Sequence, residues 1–206
     1  LNFNESNPIL EGCAFLLNHA SSDGGAVYND ASEPVSTNCE FVGNTASDEG
    51  GAVFNADPSS TSHIPIFEAC VFRGNIAAGD GGAMHKFSVS PVISKSEFSE
   101  NAASSGGAIY SWNSATPTIR ASVICGNTTN QIAGPFADQG GNMISDSCGS
   151  DCPTDLDGDG TTGGADLGMV FVAWGSCLGC AADFNGDGLV NGKDLGVLFA
   201  AWGPCS

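Results

Sequence analysis

Asn recurs at positions 18, 44, 75, 101 and 127, in steps of 26, 31, 26 and 26 residues, and its neighbours recur with it. Four stretches align: Cys13 to Tyr28, Cys39 to Phe54, Cys70 to His85 and Ser96 to Tyr110, each closing on Gly-Gly-Ala and two further residues. A fifth, degenerate copy runs from Ser122 to Asn127 and resumes at Gly140 to Ile144. Units of this length cannot bury an apolar face alone, so they must stack on one another into a solenoid.

A helical repeat would carry apolar residues three and four apart across a dozen positions. These units instead hold short strand-like pieces between turn residues: a Pro-led piece (Pro8-Ile9-Leu10, Pro34-Val35, Pro91-Val92-Ile93), then Cys-x-Phe, then Gly-Gly-Ala-Val-Tyr. Three strands and three turns make one coil of a parallel β-helix. The expected fold is therefore mainly β, with about five coils over residues 1–150. Stacking sets equivalent residues about 4.8 Å apart, so each position becomes a ladder. Phe15, Phe41, Phe72, Phe98 and Ile124 form one core column, and Val27, Val53, Met84, Ile109 and Met143 a second.

Asn18, Asn44, Asn75, Asn101 and Asn127 suit a turn in a left-handed or bridging conformation, and stacked amides hydrogen-bond from coil to coil. The Gly-Gly pairs permit positive φ and close backbone approach. Cys13, Cys39 and Cys70 share an inward column continued by Ser96 and Ser122, and are expected as buried reduced thiols.

With Phe-x-x-Asn followed by Gly-Gly-Ala-Val-Tyr in its copies, the stretch 1–148 resembles the right-handed parallel β-helices of chlamydial polymorphic outer-membrane proteins and pectate-lyase-like surface proteins. The resemblance implies a right-handed coil and a surface location. Leu1-Asn2-Phe3-Asn4 aligns with the end of a coil, Ala26-Val27-Tyr28-Asn29. On that alignment the chain enters part-way round a coil and exposes an unpaired sheet edge, so either a longer chain or another molecule is expected there.

Beyond Cys148 the composition changes. Residues 151–206 carry eight Asp, including Asp151, and a single Lys. Asp155, Asp157, Asp159 and Asp166 fall at positions 1, 3, 5 and 12 of one loop, and Asp183, Asn185, Asp187 and Asp194 at the same positions of another. A Gly stands at position 6 in both. This is the spacing of an EF-hand-like loop, which folds oxygen donors around a hard cation. Two calcium ions are expected, with the carbonyls of Thr161 and Leu189 at position 7. Packed like charges without a counter-ion would repel.

Each loop runs into a short amphipathic helix, with Leu167, Val170, Phe171 and Trp174 matched by Leu195, Leu198, Phe199 and Trp202. Gly175 and Gly203 are the expected stops. The pair of loop–helix units resembles a type I dockerin over its whole length. The resemblance implies two calcium ions and docking onto a cohesin, with partner choice at loop positions 10 and 11. Those positions are Gly164-Ala165 and Gly192-Lys193, where the family often has Ser/Thr.

Nine cysteines suggest disulfides and an oxidising compartment. The symmetry of the second module allows Cys152–Cys205 with Cys177–Cys180, or Cys152–Cys177 with Cys180–Cys205; the first clasps the module's ends and is the expected one. Cys125–Cys148 would close the last coil.

Asp+Glu number 23 against five Lys+Arg, a net charge of −18. A chain so acidic does not bind a phosphate backbone or anionic lipid, and its longest apolar run, Met169 to Trp174, is too short for membrane insertion. Asp23, Glu49 and Asp80 form an acidic column before the Gly-Gly turns. Carboxylates in one file are badly placed to flank a glycosidic bond, and Arg73, Arg120, Lys86 and Lys95 are not grouped to supply a base. His19, His63 and His85 lack metal-ligand spacing. Tyr28, Phe54 and Tyr110 form an aromatic column suited to packing or to sugar stacking.

The expected protein is thus secreted, extracellular or on the cell surface, non-catalytic, structural or adhesive, and calcium-stabilised. Its expected partner is a cohesin-like surface protein or a second copy of itself, since head-to-tail contact of that kind builds open filaments. The rival reading is a carbohydrate-active or carbohydrate-binding β-helix tethered through its dockerin-like module.

Overall fold

The computed structural model describes residues 2–3, 6–57, 63–113, 115–148, 152–177 and 180–205. Leu1, Asn4 and Asp151, together with the expected boundary at 150/151, lie outside them. The chain divides into two compact units, Leu1–Cys148 and Gly149–Ser206.

The first unit is built of short strands in stacked coils. One sheet holds the Pro-led strands Ile9–Glu11, Val35–Thr37, Ile66–Glu68, Val92–Ser94, Thr118–Arg120 and Ala137–Asp138. A second holds Ala14–Leu16, Glu40–Val42, Val71–Arg73, Glu97–Ser99, Val123–Cys125 and Met143–Ser145. A third holds Asn2–Phe3, Val27–Asp30, Val53–Ala56, Met84–Phe87, Ile109–Trp112 and Ile132–Ala133. A short fourth joins His19–Ala20, Thr45–Ala46 and Ile76–Ala77. Each strand pairs in parallel with its equivalent in the adjacent repeat, an arrangement consistent with a parallel β-helix.

Stacking equal side chains fills the core. The rings of Phe15, Phe41, Phe72 and Phe98 lie face to face with centroids 4.8, 4.6 and 4.5 Å apart, and Ile124 and Ile144 continue the file. Alternation along each strand sends one residue into this file and the next outward.

The turns divide their work between residue types. The first glycine of each pair (Gly24, Gly50, Gly81, Gly106) has φ between +60 and +71°, which an L side chain adopts only with strain. The second has ordinary φ, but a Cβ there would strike the next coil: on Gly51 it would run into the Gly82 carbonyl oxygen. The Asn column differs from expectation. The left-handed residue is the one before it (Leu17, Gly43, Gly74, Glu100, Gly126), and the Asn side chain turns inward to bond with its neighbours in the file.

Two registers also differ. Asn2 pairs with Asn29 and Phe3 with Asp30, two residues on from the expected alignment. A two-residue slip leaves the apolar alternation of the sequence in phase, so the pattern could not detect it. Met143 pairs with Val123 in the second sheet, while Ile132 takes its expected place beside Ile109. The fifth coil closes early through Asn130 and Gln131, whose carbonyls receive the N–H groups of Gly107 and Ala108.

Cys39 and Cys70 are buried and Cys13 half-buried, all three free. Their column continues in hydroxyls: Cys70 N–H donates to Ser96 Oγ and Ser96 N–H to Ser122 Oγ. Cys125–Cys148 links the last coils.

The second unit has two helices, α1 (Gly164–Val172) and α2 (Gly192–Ala200), each following an Asp-rich loop. Thr161–Thr162 pairs antiparallel with Gly203–Pro204, and Leu189–Val190 with Gly175–Ser176. The first loop is therefore braced by the end of the second half, and the second loop by the end of the first. Val170, Ala182, Val190 and Leu198 form the core, with Leu167 and Leu195 packed on it. Cys152–Cys205 and Cys177–Cys180 are the disulfides.

Candidate functional site

The two Asp-rich loops are wound by their own side chains. Asp155 Oδ1 accepts from the N–H groups of Gly158 and Asp159 at 2.9 and 3.2 Å, and its Oδ2 from Gly160 at 2.9 Å. Asp183 does the same for Asp187 and Gly188 at 3.1 and 2.7 Å. At position 12, Asp166 Oδ1 accepts from Leu156 and Asp157 and its Oδ2 from Gly163. Asp194 repeats this with Phe184, Asn185 and Asn191. Asp166 and Asp194 are buried and sit in the first helical turn, where a carboxylate satisfies free N–H groups and the helix dipole. Burial opposes ionisation of Asp166, but the Gly163, Asp157 and Leu156 N–H donors outweigh it and hold its carboxyl below the usual range.

Asp155, Asp157 and Asp159 bring carboxylate oxygens within 4.8 Å of one another. The Asp159 N–H favours the ionised form of Asp157. Desolvation and the charges of Asp159, Asp166 and Asp155 nonetheless raise its pKa. A site that crowds three carboxylates in this way has the hard oxygen donors that a divalent cation takes. The second loop carries Asn185 in place of one carboxylate, and Lys193 Nζ donates to Asp187 Oδ2 at 2.9 Å. Of the expected position-7 groups, Thr161 donates through N–H and Oγ1 to Asp159 Oδ1, and the Leu189 carbonyl accepts from Asn191 Nδ2.

Gly164, Ala165, Gly192 and Lys193 are exposed in the first turns of α1 and α2. The apolar stripe of each helix is split. Val170 and Leu198 are buried, whereas Phe171 and Trp174 are 56% and 49% exposed, and Phe199 and Trp202 54% and 48%. Within each half the two rings touch, with centroids 5.8 and 5.7 Å apart. The sequence placed these aromatics in one stripe with the core residues. The two trailing Trp residues lie beyond the helix ends, so the chain has already turned outward there.

In the coil unit, the acidic column stands beside a file of rings: Tyr28, Phe54, His85 and Tyr110, with centroids 5.0, 5.1 and 5.1 Å apart. The faces of these rings cover one another and are not open to a sugar. His85, missed as a member of this file, becomes visible when Gly-Gly-Ala-Met-His is aligned with Gly-Gly-Ala-Val-Tyr. Its Nε2 lies 3.2 Å from Glu49 Oε2. Burial lowers the His85 pKa to about 4. Burial and then Asp23, Asp48 and Asp80 raise that of Glu49. A cavity of about 260 Å³ is lined by Glu49, Asp80, His85, Phe87 and Trp112.

The Chlamydia polymorphic membrane protein (Chlamydia_PMP) repeat model matches residues 38–56 and 95–111, which fall on the second and fourth copies of the coil. No curated protein and no solved structure matches the chain. Among the described residues, no helix is long and apolar enough to cross a membrane.

Proposed function

We propose that this chain is a non-catalytic surface protein. Its coil unit is a rigid structural or adhesive element, and its second unit is a calcium-stabilised, dockerin-like coupling module. The surface assignment is supported by the match to a repeat of surface proteins. The coupling assignment is carried by one observation: twin loop–helix units 28 residues apart (183 − 155), each with oxygen donors turned into the loop and an aromatic pair turned out of the module. Exposed aromatic pairs of this kind are the anchors that interfaces use. Asp155, Asp157, Asp159 and Asp166 would hold one ion and Asp183, Asn185, Asp187 and Asp194 the other. Bound calcium supplies positive charge that cancels the mutual repulsion of the loop carboxylates.

Calorimetric titration of the chelated protein is expected to show two calcium ions bound, and capture on immobilised cohesin modules is expected only with calcium. Docking in excess chelator would overturn the calcium reading. Calcium-dependent growth in particle size with no cohesin capture would transfer the coupling role to self-assembly into filaments.

The acidic, Trp-lined cavity favours a second reading, in which the coil unit binds or cleaves a polysaccharide. Depolymerisation of any polysaccharide in a screen, lost in Asp80→Ala or Asp23→Ala, would establish it over the first.

A further inference from the structure

In the third sheet, Asn29, Asn55, Lys86 and Ser111 stand in register on successive coils. All four are buried, and Lys86 is fully enclosed. Asn29 Nδ2 donates to Asn55 Oδ1 at 2.8 Å. The same donation one coil further needs an acceptor at position 86, where the chain has a lysine. Asn55 Nδ2 is accordingly buried without a hydrogen-bond partner. On its other side Lys86 Nζ donates to Ser111 Oγ at 2.6 Å, and no carboxylate among the described residues forms an ion pair with it. An amine enclosed in this way sheds its proton, and burial holds the Lys86 pKa well below the ordinary value. A neutral, desolvated amine is a nucleophile.

We propose that Lys86 and Asn55 are joined by an intramolecular amide cross-link. Lys86 Nζ bonds to Asn55 Cγ, the Cγ–Nδ2 bond breaks, one Nζ proton passes to the departing nitrogen, and ammonia leaves. No oxidant or co-reactant is required. The Asn29 amide that donates to Asn55 Oδ1 stands where negative charge develops on that oxygen during attack. Asp57, fully buried two residues beyond Asn55, donates through its N–H to the Phe87 carbonyl and pairs with His63 at 3.0 Å. It therefore sits just beyond the Val53–Ala56 strand, against the end of the strand that carries Lys86. Asn55 and Ser111 flank Lys86 at the spacing of about 4.8 Å between strands, so rotation of the aliphatic stem carries the amine across one rung. Holding both groups in one enclosed column supplies the effective concentration that a slow amide exchange needs. The link pins the junction where the repeat lengthens from 26 to 31 residues, the longest connection between coils.

Intact-mass spectrometry of the reduced full chain tests this: the expected mass is about 17 Da, one ammonia, below that of the sequence. Proteolysis should release a branched peptide containing both Asn55 and Lys86. Lys86→Met and Asn55→Ala should each restore the full mass. A cyclised Asn55 loses the same mass, but gives a linear peptide and persists in Lys86→Met; that result would overturn the proposal. Should either variant fail to fold, the folded wild-type protein decides alone. A branched peptide supports the link, and unmodified Asn55 and Lys86 refute it.

Discussion

Gln131 Oε1 accepts hydrogen bonds from both the backbone N–H of Asn127, at 3.2 Å, and its side-chain amide, at 2.6 Å. Every earlier rung of the ladder makes the same pair of contacts with the next Asn: Asn18 with Asn44, Asn44 with Asn75, Asn75 with Asn101, and Asn101 with Asn127. A glutamine thus ends a file of asparagines, its longer side chain reaching back four residues where no further coil offers an Asn.

The ladder is costly to interrupt in the middle and cheaper to interrupt at its end. Asn101→Ala removes the acceptor for Asn75 N–H and Nδ2 and the donor to the Phe72 carbonyl. Asn75 Nδ2 keeps the Phe41 carbonyl, but the Asn75 N–H and the Phe72 carbonyl lose these partners at about 1–3 kcal/mol each, so a loss of at least about 2 kcal/mol is expected. Gln131→Ala strips Asn127 of one acceptor, but Asn127 Nδ2 retains the Phe98 and Cys125 carbonyls, and the expected loss is about 1–2 kcal/mol. Urea midpoints of the two variants measure the order.

Two glycines separate space from conformation. Gly51 has ordinary φ but no room, because an added Cβ meets the Gly82 and Ile76 backbone. Gly74 has φ +62° and open space. Gly74→Ala should therefore cost only the left-handed penalty, about 1–2 kcal/mol, while Gly51→Ala should prevent adjacent coils from stacking. Circular dichroism melts distinguish a shifted transition from a lost one.

The coil period was legible because stacking forces equivalent positions to carry similar residues, so Phe15, Phe41, Phe72 and Phe98 repeat in the chain as they do in the core. Register at the ends was not. Asn130-Gln131 receives the N–H groups that a Gly-Gly-Ala turn receives in the earlier coils, without glycine, and the Asn2 pairing slips by two positions, which leaves the apolar alternation in phase. The loop spacing of Asp155 and Asp183 predicted carboxylates gathered about a point. Helical periodicity could not show that Phe171 and Phe199 face outward while Val170 and Leu198 face in, because it counts apolar residues without counting what covers them. In the sequence Lys86 stands out only as a basic residue not grouped with others to supply a base, and the register places it inside a buried polar file.

His85 gives the coil unit an acid sensitivity with a definite sign. Its folded-state pKa, about 4, lies below the ordinary histidine value of about 6.5. As the pH falls below 6.5 the unfolded chain gains a proton that the folded one refuses. Stability then declines until about pH 4, at up to about 1.4 kcal/mol per pH unit. Glu49 works the other way, because its raised pKa lets the folded state take a proton first, in a window at and above the ordinary carboxylate range. His85→Phe keeps the ring file with Phe54 and Tyr110 and removes only the first effect. Between pH 7 and 5 the wild type is expected to lose up to about 2 kcal/mol by urea unfolding, and the variant markedly less.

The disulfides of the second unit contribute unequally, and calcium should reveal it. Cys152–Cys205 spans 53 residues, whereas Cys177–Cys180 spans three. Loop-closure entropy assigns about 4 kcal/mol to the first and about 2 kcal/mol to the second. An ion at a hundredfold excess over its dissociation constant adds about 2.7 kcal/mol per site, so two ions together outweigh the longer disulfide. The Cys152→Ser, Cys205→Ser double variant is therefore expected to lose the helical signal of α1 and α2 in chelator and recover it on adding calcium. The Cys177→Ser, Cys180→Ser variant should keep more of that signal under both conditions. Equal melting of the two variants in chelator would show that the clasp between Cys152 and Cys205 is not what holds the ends of this unit together. The remaining candidates would then be the Thr162–Gly203 pairing and the Cys205 N–H bond to the Gly160 carbonyl at 2.9 Å.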